Sequence, residues 1–295
     1  MTEPGAVAFQ IDRAALREAC DRASAGYDAA AVLQARVRGE LLARLALVKL
    51  APRIILDLGC GTGHAAHELK RRFRRATVVA VDLAPGMLRE TGRRNRLFRR
   101  VQTVCGDAGR LPLRDASVDL VLCSLMLQWC DPLDQALAEI SRVLKPGAFL
   151  SFSTLGPDTL RELREAWGAA DSGIHVNGFA DMHDVGDALT RAGLLEPVLD
   201  VERVTLTYPD VLALMRDLKA LGAHNVTRAR ARGLTGRGKW QAMLAAYEAF
   251  RRDGRVPATY EIVYGVAWGG ATRPGQAPGE IRIPVGAIGR RDVRA

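Results

Sequence analysis

The sequence predicts an α/β fold with a mostly parallel seven-stranded sheet covered by helices on both faces. A C-terminal antiparallel hairpin carries a helical insertion. Three observations point there. Short β-branched runs alternate with amphipathic helical stretches from residue 53 to 155; a glycine-rich turn, ILDLGCGTGH (55–64), sits where the first run meets the first helix; and two longer strand-like runs close the pattern.

The elements follow in order. Val37, Leu41, Leu45 and Val48 recur at helical spacing within residues 29–48. Strand-like runs lie at 53–58, 76–83, 101–105, 118–125 and 148–155, with helical stretches at 64–74, 85–95 and 132–144 between them. A helix at 181–192 precedes the long runs 197–208 and 258–268. Their connection, 209–256, is too long for a turn and reads as a helical insertion. One domain is expected over 1–268, with an N-terminal lid over about 10–48. The tail 269–295 is rich in Gly and Pro and is expected to be loosely attached.

Composition bounds the function. With 295 residues, 48% of them hydrophobic and 25% charged, the chain can bury a sizeable core. No run approaches the roughly 20 apolar residues of a membrane span, and MTEPGAVAFQ lacks the features of a secretory signal, so a cytoplasmic protein with no membrane association is expected. The five cysteines are odd in number and show no C-x-x-C spacing, so they are expected to be reduced, buried and structural, and no metal set is expected. The +9 charge is carried by 37 Arg and 5 Lys, a bias that a GC-rich genome produces by itself. No nucleic-acid signature accompanies it, so a basic face suited to an acidic partner is what remains.

The glycine turn carries the chemistry. Gly59, Gly61 and Gly63 alternate after Asp57, whereas a dinucleotide site asks for G-x-G-x-x-G and position 64 is His. The alternate form suits a ligand without a pyrophosphate, such as S-adenosylmethionine, whose carboxylate can meet amides near a helix N-terminus. By itself the turn is a weak signal, since an ordinary tight turn needs glycines too. Asp82 ends VVAVDLAPGML, 19 residues after Gly63, where a carboxylate can accept both hydroxyls of a ribose. Asp107 follows the third run, placed to meet an adenine amino group, with Leu83 and Ala108 flanking the ring.

These features, with LPLRDASVDLVLCSLMLQW after them, resemble the class I S-adenosylmethionine-dependent methyltransferases over about residues 50–155, a Rossmann-like fold. RASAGYDAAAVLQ (22–34), SLMLQWCDP (124–132), HVNGFADMHDVGDAL (175–189), TLTYPDVLALMRDLKALGAHN (205–225), and GLTGRGKW with PATYEIVYGVAW are similar to the malonyl-[acyl-carrier protein] O-methyltransferase family. The resemblance implies S-adenosylmethionine as cofactor and methylation of the free carboxyl of a malonyl thioester on acyl-carrier protein, for biotin synthesis, by a protein expected to be monomeric. It places Tyr27 and Gln34 over the cofactor, adds Leu125 to the cofactor set, and puts Gln128 and Trp129 facing the methyl group. His175 completes the catalytic group, and Asn177 is assigned to substrate.

Two departures stand out: Gly265, where many relatives carry His, and Gly178, where a basic residue is common. The insertion holds ten basic and four acidic residues. Arg216 and Lys219 share a helix face and could grip a phosphate or a carboxylate, with Arg230 and Arg232 adding to a docking surface for the acidic carrier protein. Two other readings stay open: a methyltransferase of another small acid or an isoprenoid, and a respiratory-complex assembly factor of the same fold.

Overall fold

The computed structural model describes residues 10–270 except Phe98, His224, 229–232 and Leu234. The tail 271–295 and the candidates Arg230 and Arg232 lie outside the described residues.

Seven strands form one sheet: β1 (Ile54–Leu58), β2 (Thr77–Asp82), β3 (Gln102–Cys105), β4 (Val118–Ser124), β5 (Leu144–Leu155), β6 (Leu195–Tyr208) and β7 (Val256–Trp268). Their order is β3-β2-β1-β4-β5-β7-β6. The first five pair in parallel, and β7 runs antiparallel to both β5 and β6. Chain order reverses between β1 and β4, and a crevice opens there at the strands' carboxyl ends.

Side chains alternate across the sheet, as a pleat with period two requires. Ile55, Val78, Ala80, Leu120 and Leu122 join one buried cluster; Leu56, Val79, Val81, Val121 and Cys123 join the other. The first face is covered partly by α3 (Val32–Ala46), whose Leu33, Val37, Leu41 and Leu45 repeat every four residues and are buried. The expected lid over 10–48 therefore divides. α3 is a core helix, and only α1 (Arg13–Ala23) and the short α2 (Tyr27–Ala30) overhang the strand ends.

Four further helices follow: α4 (His64–Arg72), α5 (Pro85–Arg93), α6 (Leu133–Val143) and α7 (Arg161–Gly168). After α7 the chain loops to α8 (Met182–Arg191), and the β6–β7 connection carries α9 (Val211–Ala220) and α10 (Arg237–Glu248). The N-terminal segment is fastened to this insertion by main-chain hydrogen bonds, Asp12 N–H to Val226 O (2.8 Å) and Arg228 N–H to Gln10 O (2.7 Å), with Ile11 bridging Thr227.

The glycine at 265 has a packing reason. A Cβ on Gly265 would come within 2.2 Å of the Phe152 ring, so the Phe occupies the volume a side chain there would need. The cysteine expectation needs correcting. All five thiols are free, but only Cys60 and Cys123 are buried; Cys20 and Cys130 are half-buried and Cys105 is exposed, because β3 is the sheet edge. Burial raises the Cys20 and Cys130 thiols to about 12, so both stay protonated.

Candidate active site

The glycine loop turns out of β1 into α4 with all three glycines at positive φ, at +70, +53 and +84° for Gly59, Gly61 and Gly63. They differ in what surrounds them. A Cβ at Gly59 would lie 2.3 Å from Met126 Cγ, and one at Gly63 would lie 2.5 Å from Thr91 Cγ2. At Gly61 a Cβ would meet nothing within 4 Å. Gly59 and Gly63 are thus small for packing; Gly59 and Gly61 border a cavity, and only Gly61 of the two has open space beside it.

That cavity has a volume of about 1140 Å³ and lies over the β1–β4 crevice, under α1 and α2. Asp82 forms its floor. Its two carboxylate oxygens accept N–H groups from Gly61 and Ala84, each at 2.9 Å, which pins the loop to the end of β2. Burial raises its pKa above the usual carboxylate range, and those two amides oppose the shift. Asp57, expected with the three glycines among the cofactor-binding residues, does not line the cavity, and neither does Gly63: Asp57 is 1% exposed and sits behind the loop with Oδ2 unpartnered. Burial pushes its pKa up to about 7, helped by the nearby Asp82 charge.

Among the expected cofactor residues, Leu83, Ala108, Leu125 and Gln34 line the cavity. Gln34 Oε1 is buried without a hydrogen-bond partner. Asp107 also lines it, but Oδ2 accepts from Arg13 at 2.8 Å and Oδ1 from the Gly109 amide at 2.8 Å. Arg13 donates as well to Asp131 O at 3.0 Å, closing the cavity over that end. Sequence reasoning missed Arg13, which lies 94 residues from its partner.

Of the expected catalytic residues, Tyr27 lines the cavity from α2, and burial raises its phenol. The Gln128 carboxamide donates to Leu125 O at 2.7 Å and accepts from Thr154 Oγ1 at 3.4 Å, so it braces the end of β4. Trp129 packs with Ile11, Leu16, Cys20 and Leu83, on the Leu83 side of the cavity, as an aromatic packing element. His175 lines the opposite side, its Nε2 2.7 Å from Asp171 and its ring stacked on Trp167 at 3.7 Å between centroids.

The substrate candidates fall on that same side. Asn177 is 7% exposed and lines the cavity, as do Phe179, Leu160, Leu163 and Met215. Arg216 and Lys219 lie exposed on the cavity rim from α9, with no ion-pair partner among the described residues. A second missed feature is a clasp from α2 to the glycine loop. Asp28 accepts from Thr62 Oγ1 (2.6 Å), His64 Nε2 (3.2 Å) and Arg94, which hold its carboxyl below the usual range against the opposing effect of burial. Asp28 lies inside RASAGYDAAAVLQ, the one signal that could have pointed to it.

The sheet order, a glycine turn open at Gly61, and a carboxylate at the end of β2 together define a class I methyltransferase, the fold that takes S-adenosylmethionine. Residues 56–152 match the family described as methyltransferase domain. A putative methyltransferase from Bacillus halodurans superposes with a TM-score of 0.55 at 20% identity, over 79% of this chain and 98% of that one. Among curated proteins, the malonyl-[acyl-carrier protein] O-methyltransferase of Methylovorus sp. is 55% identical, over 88% of this chain and 90% of its own length. That of Halorhodospira halophila is 49% identical, over 96% and 98%. The chain belongs to the malonyl-[acyl-carrier protein] O-methyltransferase family.

Proposed function

We propose that this chain transfers a methyl group from S-adenosylmethionine to the free carboxylate of a malonyl thioester on acyl-carrier protein, giving the methyl ester from which a pimeloyl chain for biotin can be built. The observation that carries the reading is the similarity to relatives so named across nearly their whole length. The site suits it. Asp82 presents lone pairs to a ribose, the bare edge of Gly61 lets a ligand lie against main chain, and the unpartnered Gln34 carboxamide suits an amino-acid moiety bearing both charges.

Bound there, S-adenosylmethionine supplies an electrophilic methyl carbon on a sulfonium: a C–O bond forms as the C–S bond breaks, and a neutral thioether leaves. The residues around it need not move a proton. A malonyl carboxylate, with a pKa of about 4 by analogy with side-chain acids, is already ionised at pH 7. The protein contributes alignment, which is worth roughly 7–11 kcal/mol when reacting atoms are held in line, and exclusion of water by α1 and α2. His175, with Nε2 committed to Asp171, serves as a support in this scheme and not as a base.

Arg216 and Lys219 stand at the mouth, where the phosphate of a phosphopantetheine arm would pass, and the +6 balance of the insertion favours an acidic protein partner. Arg230 and Arg232 remain candidates for the same surface. Among the described residues no helix is long and apolar enough to cross a membrane. A cytoplasmic, monomeric enzyme completes the proposal. Mass spectrometry of malonyl-acyl-carrier protein incubated with the enzyme and S-adenosylmethionine is expected to show the gain of one methyl on the malonyl group. Methylation of free acids or isoprenoids with none on the carrier-bound substrate would overturn the reading.

A further inference from the structure

Helix α1 is tied to two parts of the molecule by different residues. On one side, Arg13 donates to Asp107 Oδ2 (2.8 Å) and Asp131 O (3.0 Å), and Asp21 Oδ1 accepts from the Gly86 amide in the first turn of α5 (2.5 Å). Toward the insertion, main chain meets main chain. Besides the bonds that join Gln10 and Asp12 to Arg228 and Val226, a Cβ at Gly222, just past α9, would lie 3.0 Å from Ala19 O. Little else holds the helix. Only Leu16 and Ala19 of its eleven residues are buried, and the Arg13–Asp107 pair is 41% and 35% exposed, the profile of an element that opens locally with little free energy.

The same helix carries charge at the cavity opening. Arg17 of α1, like Arg216 and Lys219 of α9, lines the cavity, is exposed, and makes no side-chain hydrogen bond or ion pair among the described residues. Arg22 lines it too, paired to the exposed Glu18 at 3.2 Å. The other acids of the two helices are engaged with the fold itself, Asp21 with Gly86 and Asp217 with the Tyr208 hydroxyl at 2.7 Å. Two helices from opposite ends of the chain thus present an unneutralised positive border to one opening, which attracts an anionic partner to both at once.

We propose that the acidic carrier protein docks across both helices, meeting Arg17 of α1 as well as Arg216 and Lys219 of α9, and that carrier docking and cofactor binding strengthen one another through α1. This rests on the function proposed above. Carrier and cofactor need share no atom. Leu16, Ala19, Cys20 and Ala23 line the cavity from the helix that bears Arg17, so each partner adds contacts to the same weakly held element. Whichever binds first orders α1, and the second then binds to a helix already in place. The helix is held most firmly when both are present, the one state in which water must be kept from the methyl carbon.

The test is calorimetric titration of S-adenosylhomocysteine into the full-length protein with and without saturating holo-acyl-carrier protein, whose unloaded arm allows no turnover. The dissociation constant for S-adenosylhomocysteine is expected to fall about five- to tenfold when the carrier is present, and that for the carrier by the same factor when S-adenosylhomocysteine is present, since linkage is reciprocal. Arg17→Glu should weaken carrier binding about tenfold. Arg17→Ala should weaken it in the same direction, and stands in should the Glu variant fold poorly. Arg75→Glu makes an equal change of net charge at an exposed arginine that leads into β2, at the end of the sheet opposite the cavity. At about 0.15 M ionic strength it should alter carrier affinity by less than about twofold. Losses of equal size at positions 17 and 75, or an S-adenosylhomocysteine affinity indifferent to the carrier, would overturn the proposal. Failure of the wild-type protein to methylate malonyl-acyl-carrier protein would instead overturn the function on which it rests.

Discussion

Replacing Gly61 by Ala separates the ligand-facing part of the glycine loop from its packed part. The backbone at Gly61 has φ +53°, a region that costs an L-residue roughly 1–2 kcal/mol. Reduced freedom of the unfolded chain returns about 0.4–1 kcal/mol. No protein atom lies within 4 Å of the new methyl, so no packing cost is added, and the net loss is about 1 kcal/mol. For a chain of this size that lowers Tm by roughly 2–4 °C. The methyl nevertheless takes up open space at a residue that lines the cavity, so affinity for S-adenosylmethionine should fall at least about tenfold, or 1.4 kcal/mol. Gly59→Ala is the opposite case. Its methyl would overlap Met126 Cγ at 2.3 Å, adding an overpacking cost of about 1–3 kcal/mol to the strain. Calorimetric titration and thermal unfolding of both variants make the comparison. Wild-type cofactor affinity in the Gly61 variant, or a Tm loss as large as that of the Gly59 variant, would refute the reasoning.

Two further outcomes follow from the charges behind and above the loop. Asp57 is raised from 3.8 to about 7 in the folded chain, so between those values the folded state holds a proton that the unfolded state has released. Stability from this group is full below about pH 4 and lost as pH rises through 7, on the order of 4 kcal/mol in all. Asp57→Asn in the ligand-free protein should therefore gain Tm over wild type by a margin that grows from pH 4 to pH 8, and a margin constant with pH would count against it. Asp28→Ala removes the acceptor for Thr62, His64 and Arg94 at a half-exposed site, where solvent screening limits the loss to about 1 kcal/mol. Cofactor Kd should rise about fivefold in calorimetric titration while Tm falls by roughly 2–4 °C; an unchanged Kd would show that the clasp does not hold α2 in place.

The sheet was legible because its signal is local. Each strand expected from β-branched runs is present, with ends moved by a few residues: 101–105 became Gln102–Cys105, and 258–268 grew to Val256–Trp268 because pairing with β6 continues across Pro257 to a buried Val256. Helices α1 and α7 went unread. The first is weakly apolar, with only Leu16 and Ala19 buried, and the second hides a buried Glu162 in its first turn, which accepts from the Thr259 amide and hydroxyl. Asp82 and the glycines could be placed from spacing alone, since loop and strand end are neighbours in any parallel sheet of this order. Contacts between distant segments could not. Arg13 with Asp107, Asp28 with Arg94, and His175 on Trp167 depend on how the N-terminal segment and the α7–α8 loop fold back, which no periodicity records.

The seam at Gln10–Asp12 and Val226–Arg228 gives this enzyme an unusual dependence between its two ends. The stretch that carries α1 over the cavity is moored to the insertion that carries Arg216 and Lys219 at its rim. Neither can swing aside without breaking main-chain bonds to the other. Roof and rim of the cavity thus close as one piece, joined by a seam that exists only after more than two thirds of the polypeptide has been made.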